Sequence, residues 1–369
     1  MRIGILGGGQ LGRMLALAGY PLGLTFRGLD PAVDAPLGQV AELVVAQYDD
    51  PSALERFADG LDRVTYEFEN VPGTTAALLA ERLPVLPPPP ALERAQDRLE
   101  EKRLFESCSI PVPTYAPVSS PEDFAAALQR VPLPALLKTR RLGYDGRGQR
   151  RIDTADELAP AWEALGRVPC LLEEVVSFDY EVSVLAARSP SGTIAFYPLV
   201  ENRHVAGILA VSRAPAPRAS RSLQATAEHY VRAILDQLSY VGVLAVEFFV
   251  VGETLLANEM APRVHNSGHW TIEGAETSQF EQHLRAILDW PLGSTAPRGH
   301  SAMINLLGVL PPIDSVLALR NAHVHLYGKA PRPRRKLGHV TVRAETAEER
   351  DVLLQQVLDL VTFPEALVF

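Results

Sequence analysis

The spacing of apolar residues predicts alternating strands and helices at the start of the chain. "RIGILGG" reads as a short buried strand, "QLGRMLALAGY" as a helix opened by glycines, and "LTFRGLD" as a second strand. A third strand, "RVTYEF", leads into a helix that begins near Pro72, because proline is favoured at the first helical position. This order indicates a Rossmann-like N-terminal domain over residues 1–92.

Four consecutive prolines, Pro87 to Pro90, end this pattern, since proline can neither continue a helix nor join a central strand. After one charged helix, "ALERAQDRLEEKRLFESC", apolar strands with few helices predict a largely antiparallel sheet in a second domain, 93–294. Within it "VGVLAVEFFVV" and "TLLANEMAP" can pair as a hairpin across "GE". A small β-rich domain with a final helix is expected over 295–369. The fold class is therefore α/β (α+β).

Composition and charge narrow the class of protein. The chain has 369 residues, 47% of them hydrophobic, and a formal net charge of -9, which argues against a nucleic-acid groove. No apolar run reaches the roughly 18 residues of a membrane span, and the first ten residues do not resemble a signal peptide. We expect a cytoplasmic protein that binds neither membrane nor nucleic acid. Cys108 and Cys170 lack metal-type spacing and are read as reduced thiols.

Lysine is rare in this chain. Of 35 basic residues only four are lysine, namely Lys102, Lys138, Lys329 and Lys336. Arginine serves wherever a positive surface charge is enough, so a lysine that persists is expected to need its compact, flexible ammonium group. All four lie in stretches that carry other functional signals.

The first such stretch is a glycine-rich turn. Gly7, Gly9 and Gly12 satisfy GxGxxG directly after a strand, and Asp30 closes the second strand where a ribose-binding acid would lie. A dinucleotide-binding oxidoreductase is therefore one hypothesis, although the rest of a full Rossmann domain is missing before the prolines. Backbone amides at a helix N-terminus also bind other phosphates, so the phosphate of a substrate is the alternative.

A second stretch carries two acidic residues. The predicted hairpin brings Glu247 and Glu259 together, with Asn258 beside them. Two carboxylates about 4 Å apart repel by roughly 4 kcal/mol at an effective dielectric near 20, so burying both calls for a cation or a proton. Oxygen ligands with room for phosphate indicate Mg²⁺, with Mn²⁺ as an alternative. The competing interpretation is that Glu247 faces solvent from an edge strand.

A third stretch is the loop "KTRRLGYDGRGQ". Lys138 ends a strand, and Gly143, Gly146 and Gly148 form a turn whose amides can close over a polyphosphate while Arg147 adds charge. Ordering so many glycines costs much conformational entropy, and this cost argues against a loop without function.

Taken together, these motifs resemble a known family. "GGGQLGRM", "YEFENV", "QDRLEEK", "KTRRLGYDGRGQ", "FDYEVSV", "ENRHVAGIL", "LLANEMAPRVHNSGHW" and "YGKAPRPRRKLGHV" occur in the order seen in ATP-grasp enzymes. More narrowly, they resemble the N5-carboxyaminoimidazole ribonucleotide synthetases of bacteria and fungi, nearly end to end. The resemblance implies an ATP-grasp fold, with a small lobe at about 112–182 and a glycine loop at 143–149. It also implies a homodimer.

The resemblance also implies an ATP site. Its residues would be Arg98, Lys138, the loop Gly143, Tyr144, Asp145, Gly146, Arg147, Gly148 and Gln149, the hinge Glu173, Glu174, Val175 and Val176, and Glu181, His204, Asn258 and Glu259. Glu247 and Glu259 match the family's magnesium carboxylates. Leu142 departs from the family by standing where a glycine is often seen, which would stiffen the loop.

The implied reaction converts ATP and bicarbonate to carboxyphosphate and passes the carboxyl group to 5-aminoimidazole ribonucleotide. Its catalytic residues would be Lys138, Asp145, Arg263 and His265, of which Arg263 and His265 hold bicarbonate, unless Arg263 only pairs with Glu259. The ribonucleotide would bind Gly8, Gly9, Gln10, Leu11, Glu67, Tyr144, Lys329, Arg335 and Lys336, with Glu69 as a rival to Glu67.

Three alternatives stay open at this point. A sister ATP-grasp ligase, such as a formate-using glycinamide ribonucleotide transformylase, would differ only in its acid and amine. A nucleotide sensor would keep the glycine loops without needing both magnesium carboxylates. The oxidoreductase requires nicotinamide binding.

Overall fold

In the computed structural model, which describes residues 1–143 and 146–361, the N-terminal segment forms a parallel sheet. Its elements are β1 (Arg2–Leu6), α1 (Gln10–Gly19), β2 (Thr25–Asp30), β3 (Glu42–Val45), α2 (Pro51–Ala58), β4 (Arg63–Tyr66) and α3 (Gly73–Ala80). The strand order β3-β2-β1-β4 confirms the Rossmann-like prediction. The pair β3 and α2 was not predicted, because β3 is only four half-exposed residues long and shows no apolar period. The strand "RVTY" is therefore the fourth, not the third.

Two helices connect this sheet to the rest of the molecule, α4 (Pro89–Gln96) and α5 (Arg98–Ser107). The prediction of one continuous helix here is wrong because Asp97 has an extended backbone, with φ -124° and ψ 111°. Its carboxylate accepts a hydrogen bond from the backbone N–H of Leu99 at 3.0 Å and two from Arg140 at 2.9 and 2.7 Å. Asp97 thus ends one helix, caps the next and ties it to the glycine loop's strand.

The next segment forms a small antiparallel sheet covered by helices. It contains β5 (Tyr115–Val118), α6 (Phe124–Arg130), β6 (Ala135–Thr139), β7 (Gln149–Ile152), α7 (Leu158–Ala164) and β8 (Cys170–Glu174), with strand order β5-β8-β6-β7. Lys138 pairs with Gln149 in the β6–β7 ladder. The glycine loop is therefore the connection of a hairpin, and both of its ends are fixed by the sheet.

A large antiparallel sheet dominates the remainder. Its central elements are β9 (Tyr180–Arg188), β10 (Ile194–Phe196), β11 (Val200–Val205), β12 (Ile208–Ala214), α8 (Arg221–Gln237), β13 (Gly242–Val251), β14 (Thr254–Ala261), α9 (Thr271–Gly274) and α10 (Gln279–Ile287). In the β13–β14 hairpin Glu247 pairs directly with Glu259, as the sequence predicts. Strand β13 lies between β14 and β9. The interpretation of Glu247 as an edge-strand residue is therefore wrong.

The C-terminal elements are β15 (His300–Leu307), α11 (Ile313–Leu317), β16 (Ala322–Leu326), β17 (Lys336–Ala344) and α12 (Ala347–Leu360). They are β-rich, as expected. Their strands extend the same sheet in the order β14-β13-β9-β11-β12-β15-β17-β16, because β15 pairs with β12. This continuity brings the start of β17 to the edge of the central cleft.

A buried histidine joins the N-terminal sheet to the large sheet. His283 on α10 accepts a hydrogen bond at Nδ1 from the backbone N–H of Val243 at 3.0 Å, so its Nε2 carries the proton and donates to the Thr65 hydroxyl at 2.8 Å. Burial lowers the pKa of His283 to about 3. The ring is therefore neutral in the folded chain at neutral pH and still neutral at pH 5.

The buried, neutral His283 predicts that the free energy of unfolding of the chain depends on pH. An unfolded histidine titrates near pH 6.5, so the stabilisation from neutral His283 is complete above that pH and falls as the pH drops toward 3. At about 1.4 kcal/mol per pH unit, the free energy of unfolding that His283 contributes falls by about 2 kcal/mol between pH 7.5 and pH 5. The difference in free energy of unfolding between the unsubstituted chain and His283→Gln, measured with urea, should therefore be about 2 kcal/mol smaller at pH 5 than at pH 7.5. A difference that stays constant with pH would contradict the assignment, and exposed His229→Gln is the control.

Candidate active site

A cleft of about 780 Å³ lies where the N-terminal sheet, the small lobe, the large sheet and the C-terminal segment meet. The predicted site residues that line it are Gln10, Leu11, Glu67, Arg98, Lys138, Gly143, Gly146, Arg147, Gln149, Glu181, His204, Glu247, Asn258, Glu259, Arg263, His265, Lys329, Arg335 and Lys336. Other predicted residues do not line it, namely Gly8, Gly9, Gly148, Glu173, Glu174, Val175 and Val176. Tyr144 and Asp145 lie outside the described residues.

The paired carboxylates lie on the cleft wall. Glu247 is only 8% exposed. Burial, followed by the nearby charges of Glu259 and Glu181, raises the pKa of Glu247 despite the opposing charge of His204. Within the described part of the chain no group of three or more His, Cys, Asp and Glu side chains could hold a metal ion. Two carboxylates with space for water and phosphate oxygens fit Mg²⁺, which keeps part of its hydration shell.

Next to this pair, His204 is bound to Glu181. Its Nδ1 lies 2.8 Å from Glu181 Oε2. Burial opposes the charge of the ring, but the hydrogen bond that the ring donates to Glu181 and the charge of Glu247 raise the pKa of His204 to about 9. The ring is therefore a cation at neutral pH, and it partly balances the acidic wall of the cleft.

Lys138 belongs to a buried triad of charges. Its ammonium donates to one oxygen of Glu173, and Lys102 lies 2.9 Å from the other oxygen. Burial opposes the charge on Glu173, yet the two lysines hold its pKa at about 2. Lys102 also donates to the carbonyl groups of Ala257 and Asn258 at 3.1 and 3.0 Å. Glu173 therefore acts on the cleft through Lys138, and the compact ammonium of Lys102 satisfies three acceptors.

The glycine loop approaches the cleft from the β6–β7 hairpin. The carbonyl of Gly143 accepts a hydrogen bond from Arg98 at 3.4 Å, and Arg98 also pairs with Glu259 at 3.3 Å. Leu142 has a φ of 62°, in the left-handed region that favours glycine, and its side chain is 72% exposed. The departure from the family therefore places a strained residue at the start of the loop.

The N-terminal glycine turn binds carboxylates in this structure. Glu67 accepts hydrogen bonds from the backbone N–H groups of Gly9, Leu11 and Gly12 at 2.8, 3.1 and 3.2 Å, and Asp30 accepts from Gly8 at 2.7 Å. Of the amides that are predicted to bind a phosphate, those of Gly8, Gly9 and Leu11 are thus occupied, and Gln10 and Leu11 are the residues of the turn that line the cleft. A dinucleotide pyrophosphate would have to displace Glu67, which disfavours the oxidoreductase.

Arg263 lies beside the acidic pair. It donates to Glu69 and, at 3.0 Å, to the carbonyl of Val264. The ion pair with Glu259 that the sequence left open is made by Arg98 instead. Glu67 and Glu69 follow the end of β4. Glu67 binds the glycine turn, and Glu69 holds Arg263. Burial and the charge of Arg263 lower the pKa of His265 well below its usual value.

The basic C-terminal segment closes the remaining side. Lys329 donates to the side-chain oxygen of Gln10, and Gln39 donates to the carbonyl of Tyr327 at 3.3 Å. The carbonyl of Arg335 accepts from Gly308 at 2.8 Å, and Lys336 opens β17 at the cleft. Three of the four lysines of the chain therefore line the cleft, and the fourth lies directly behind Glu173.

Comparison with known proteins shows which family the chain belongs to. Three family models match in sequence: the ribonucleotide synthetase preATP-grasp domain over residues 1–96, the ATP-grasp domain over 103–280, and the phosphoribosylaminoimidazole carboxylase C-terminal domain over 301–352. A Pseudomonas aeruginosa protein named N5-carboxyaminoimidazole ribonucleotide synthase is 52% identical over 343 residues, which are 93% of this chain and 94% of that protein. The chain belongs to the N5-carboxyaminoimidazole ribonucleotide synthase family.

Solved structures of this family have the same fold. The N5-carboxyaminoimidazole ribonucleotide synthetase of Thermus thermophilus is 59% identical and superposes with a TM-score of 0.95 over 98% of this chain and 99% of that one. The Aspergillus clavatus synthase, solved with ADP and 5-aminoimidazole ribonucleotide, is 31% identical with a TM-score of 0.90 over 97% and 98%.

Some residues of the synthase cleft were not predicted. Glu101 accepts a hydrogen bond from the backbone N–H of Met260 at 2.6 Å, and burial together with Glu259 raises its pKa to about 8. Phe249 lines the cleft and stacks on Phe178 at 4.8 Å. Glu101 lies inside the "QDRLEEK" motif, which could have signalled it. Phe249 carries no signal, because a phenylalanine in an apolar strand reads as core.

Over the described ranges, every helix is too short or too polar to cross a membrane.

Proposed function

We propose that the chain carboxylates 5-aminoimidazole ribonucleotide at its exocyclic amine, using ATP and bicarbonate and releasing ADP and phosphate, in purine biosynthesis. The observation that carries this proposal is the cleft itself. It brings together a buried lysine, Lys138, two paired carboxylates, Glu247 and Glu259, and the positive charges of Arg263 and the basic C-terminal segment. The arrangement supplies charges for a polyphosphate and for a second anion.

The chemistry proceeds in two transfers. An oxygen of bicarbonate attacks the γ-phosphorus of ATP, and ADP leaves, which gives carboxyphosphate. The amine of the ribonucleotide then attacks the carboxyl carbon, loses a proton and displaces phosphate, which keeps the bicarbonate oxygen. Positioning and charge neutralisation carry such phosphoryl transfer, so no nucleophile of the protein is needed. Asp145 is the sequence-predicted acceptor of the amine proton.

Each wall of the cleft has a role in this scheme. Lys138 and Arg98 contact the phosphates of ATP, and Glu181 takes the ribose. Glu247 and Glu259 would hold Mg²⁺, which would neutralise charge on phosphate oxygens. Arg263 and His265 hold bicarbonate. The phosphate of the ribonucleotide binds the basic C-terminal segment, Lys329, Arg335 and Lys336, a cluster suited to charge-assisted hydrogen bonds.

Three further properties belong to this proposal. Mn²⁺ can replace Mg²⁺ at the paired carboxylates, since both ions accept hard oxygen ligands. The chain acts in the cytoplasm, where nucleotides are made, and it forms a homodimer, as its resemblance to the family implies.

Release of ADP tests the proposal. Purified chain is incubated with Mg²⁺ and ATP, and bicarbonate and 5-aminoimidazole ribonucleotide are added separately and together. We expect strong stimulation only when both are present, because both transfers must be completed before the products leave and the cleft can turn over again. Release that needs formate and a different ribonucleotide would keep the ligase and refute the substrates. If no acid stimulates release, the nucleotide sensor is the better account.

A further inference from the structure

A buried chain of polar side chains runs from His265 away from the cleft. Nδ1 of His265 lies 2.9 Å from the hydroxyl of Ser267, which lies 2.7 Å from the hydroxyl of Ser183. The side-chain amide of Asn202 donates to Ser183 at 2.9 Å and accepts from Ser212 at 2.8 Å. The three serines are 0% exposed and Asn202 is 5% exposed. Solvent therefore does not compete for these hydrogen bonds.

The direction of this chain of hydrogen bonds fixes the proton on the histidine ring. Hydroxyl groups both donate and accept, and an amide can be turned around, so the side chains alone allow two directions. The backbone N–H of Ser267 decides between them, because it points at Nδ1 of His265 at 3.3 Å. An N–H group cannot donate to a nitrogen that already carries a proton. Nδ1 is therefore an acceptor, the Ser267 hydroxyl donates to it, and the neutral ring carries its proton on Nε2.

We propose that Ser267, supported by Ser183 and Asn202, is a positioning residue that holds His265 in its Nε2–H tautomer, so that Nε2 donates a hydrogen bond to the acid substrate. Nε2 lies 3.7 Å from Glu247 Oε1, too far for a direct hydrogen bond, so its N–H is available to an oxyanion beside Arg263. The opposite tautomer would present a lone pair to that oxyanion and to Glu247. The identity of the acid rests on the proposed function, whereas the tautomer does not.

The tautomer can be measured on the intact chain. Protein labelled with ¹⁵N-histidine gives well-separated NMR signals for protonated and unprotonated ring nitrogens, and the His265 signals are those lost in His265→Gln. We expect a protonated Nε2 and an unprotonated Nδ1. A protonated Nδ1 would overturn the proposal, whatever substrate the chain uses.

Kinetics test the consequence for the acid. Ser267→Ala removes the donor hydroxyl and keeps the backbone N–H, so we expect the KM for bicarbonate to rise about fivefold to tenfold, the effect of one lost hydrogen bond. The KM for ATP should change less than twofold, and Ser183→Ala should act in the same direction more weakly. Ser301→Ala is the matched control, because Ser301 is equally buried and its hydroxyl has no hydrogen-bond partner among the described residues.

The outcomes separate this inference from the proposed function. If Ser267→Ala and Ser301→Ala have the same KM for bicarbonate, the positioning role is refuted. If another acid drives turnover, the proposed substrate is refuted and the same comparison is made with that acid. If no acid drives turnover, the NMR signals of His265 in the intact chain decide the tautomer alone.

Discussion

Lys138→Met is expected to lower kcat/KM for ATP by a factor of about 10²–10³, because it removes the buried ammonium of the cleft that we propose contacts the transferring phosphate. Methionine keeps most of the length of the side chain. Glu173 retains Lys102 at 2.9 Å, so the substitution leaves a buried pair of opposite charges rather than an unpaired carboxylate. The free energy of unfolding should therefore change little. ADP release and urea unfolding measure the two effects separately.

Lys102→Met is the comparison variant for Lys138. Lys102 does not line the cleft, and the substitution removes its ammonium from Glu173 together with the hydrogen bonds that it donates to the carbonyl groups of Ala257 and Asn258. Each hydrogen bond lost at a buried acceptor costs on the order of 1 kcal/mol, so this variant should lose stability more than activity. Equal losses of kcat/KM in the two variants would refute a direct role of Lys138.

Glu259→Gln is expected to lower kcat by a factor of about 10²–10³ and to raise the Mg²⁺ concentration needed for half-maximal turnover. The reason is that the amide provides a weaker, uncharged oxygen ligand next to Glu247. Titration of ADP release with MgCl₂ at saturating ATP measures both quantities. Glu253→Gln is the matched control, because this exposed residue lies at the turn of the same hairpin. An unchanged Mg²⁺ dependence in Glu259→Gln would contradict the metal assignment.

Glu247→Gln should raise the stability of the chain and lower its activity. Burial and two neighbouring carboxylates raise the pKa of Glu247, so its charge is unfavourable when no cation is bound. Without divalent ions and at neutral pH, the glutamine variant should therefore be more stable by about 2–3 kcal/mol, because the pKa of Glu247 is raised to about 7 and each pKa unit corresponds to about 1.4 kcal/mol. Turnover should fall as in Glu259→Gln. Site residues that reduce stability in this way are common in enzymes.

The parts of the site that lie on one hairpin could be predicted from the sequence. Counting back from the turn "GE" brings Glu247 next to Asn258 and Glu259, and a register shift between Glu247 and Phe248 then places Glu247 opposite Glu259. The glycine loop followed in the same way from a lysine at a strand end and the glycines after it. Local periodicity and turn chemistry are sufficient where the partners are close in the sequence.

Contacts between distant segments could not be predicted in this way. Glu67 is separated by 55 to 58 residues in the sequence from the glycine-turn amides that it binds, and Arg263 is separated by 194 residues from Glu69. Both depend on how the N-terminal sheet docks on the large sheet, which periodicity does not determine. The break at Asp97 was missed for a similar reason, since its partner Arg140 lies in another lobe. Family resemblance supplied the list of residues but not these pairings.

We propose that the cleft makes carboxyphosphate from bicarbonate, and the fate of the bicarbonate oxygen shows whether it does. Turnover with fresh ¹⁸O-labelled bicarbonate, ATP, Mg²⁺ and 5-aminoimidazole ribonucleotide is followed by mass spectrometry of the phosphate released. We expect one ¹⁸O atom in each phosphate, because that oxygen joins the γ-phosphorus before the carboxyl group is transferred. Phosphate without ¹⁸O, formed together with carboxylated product, would contradict the account.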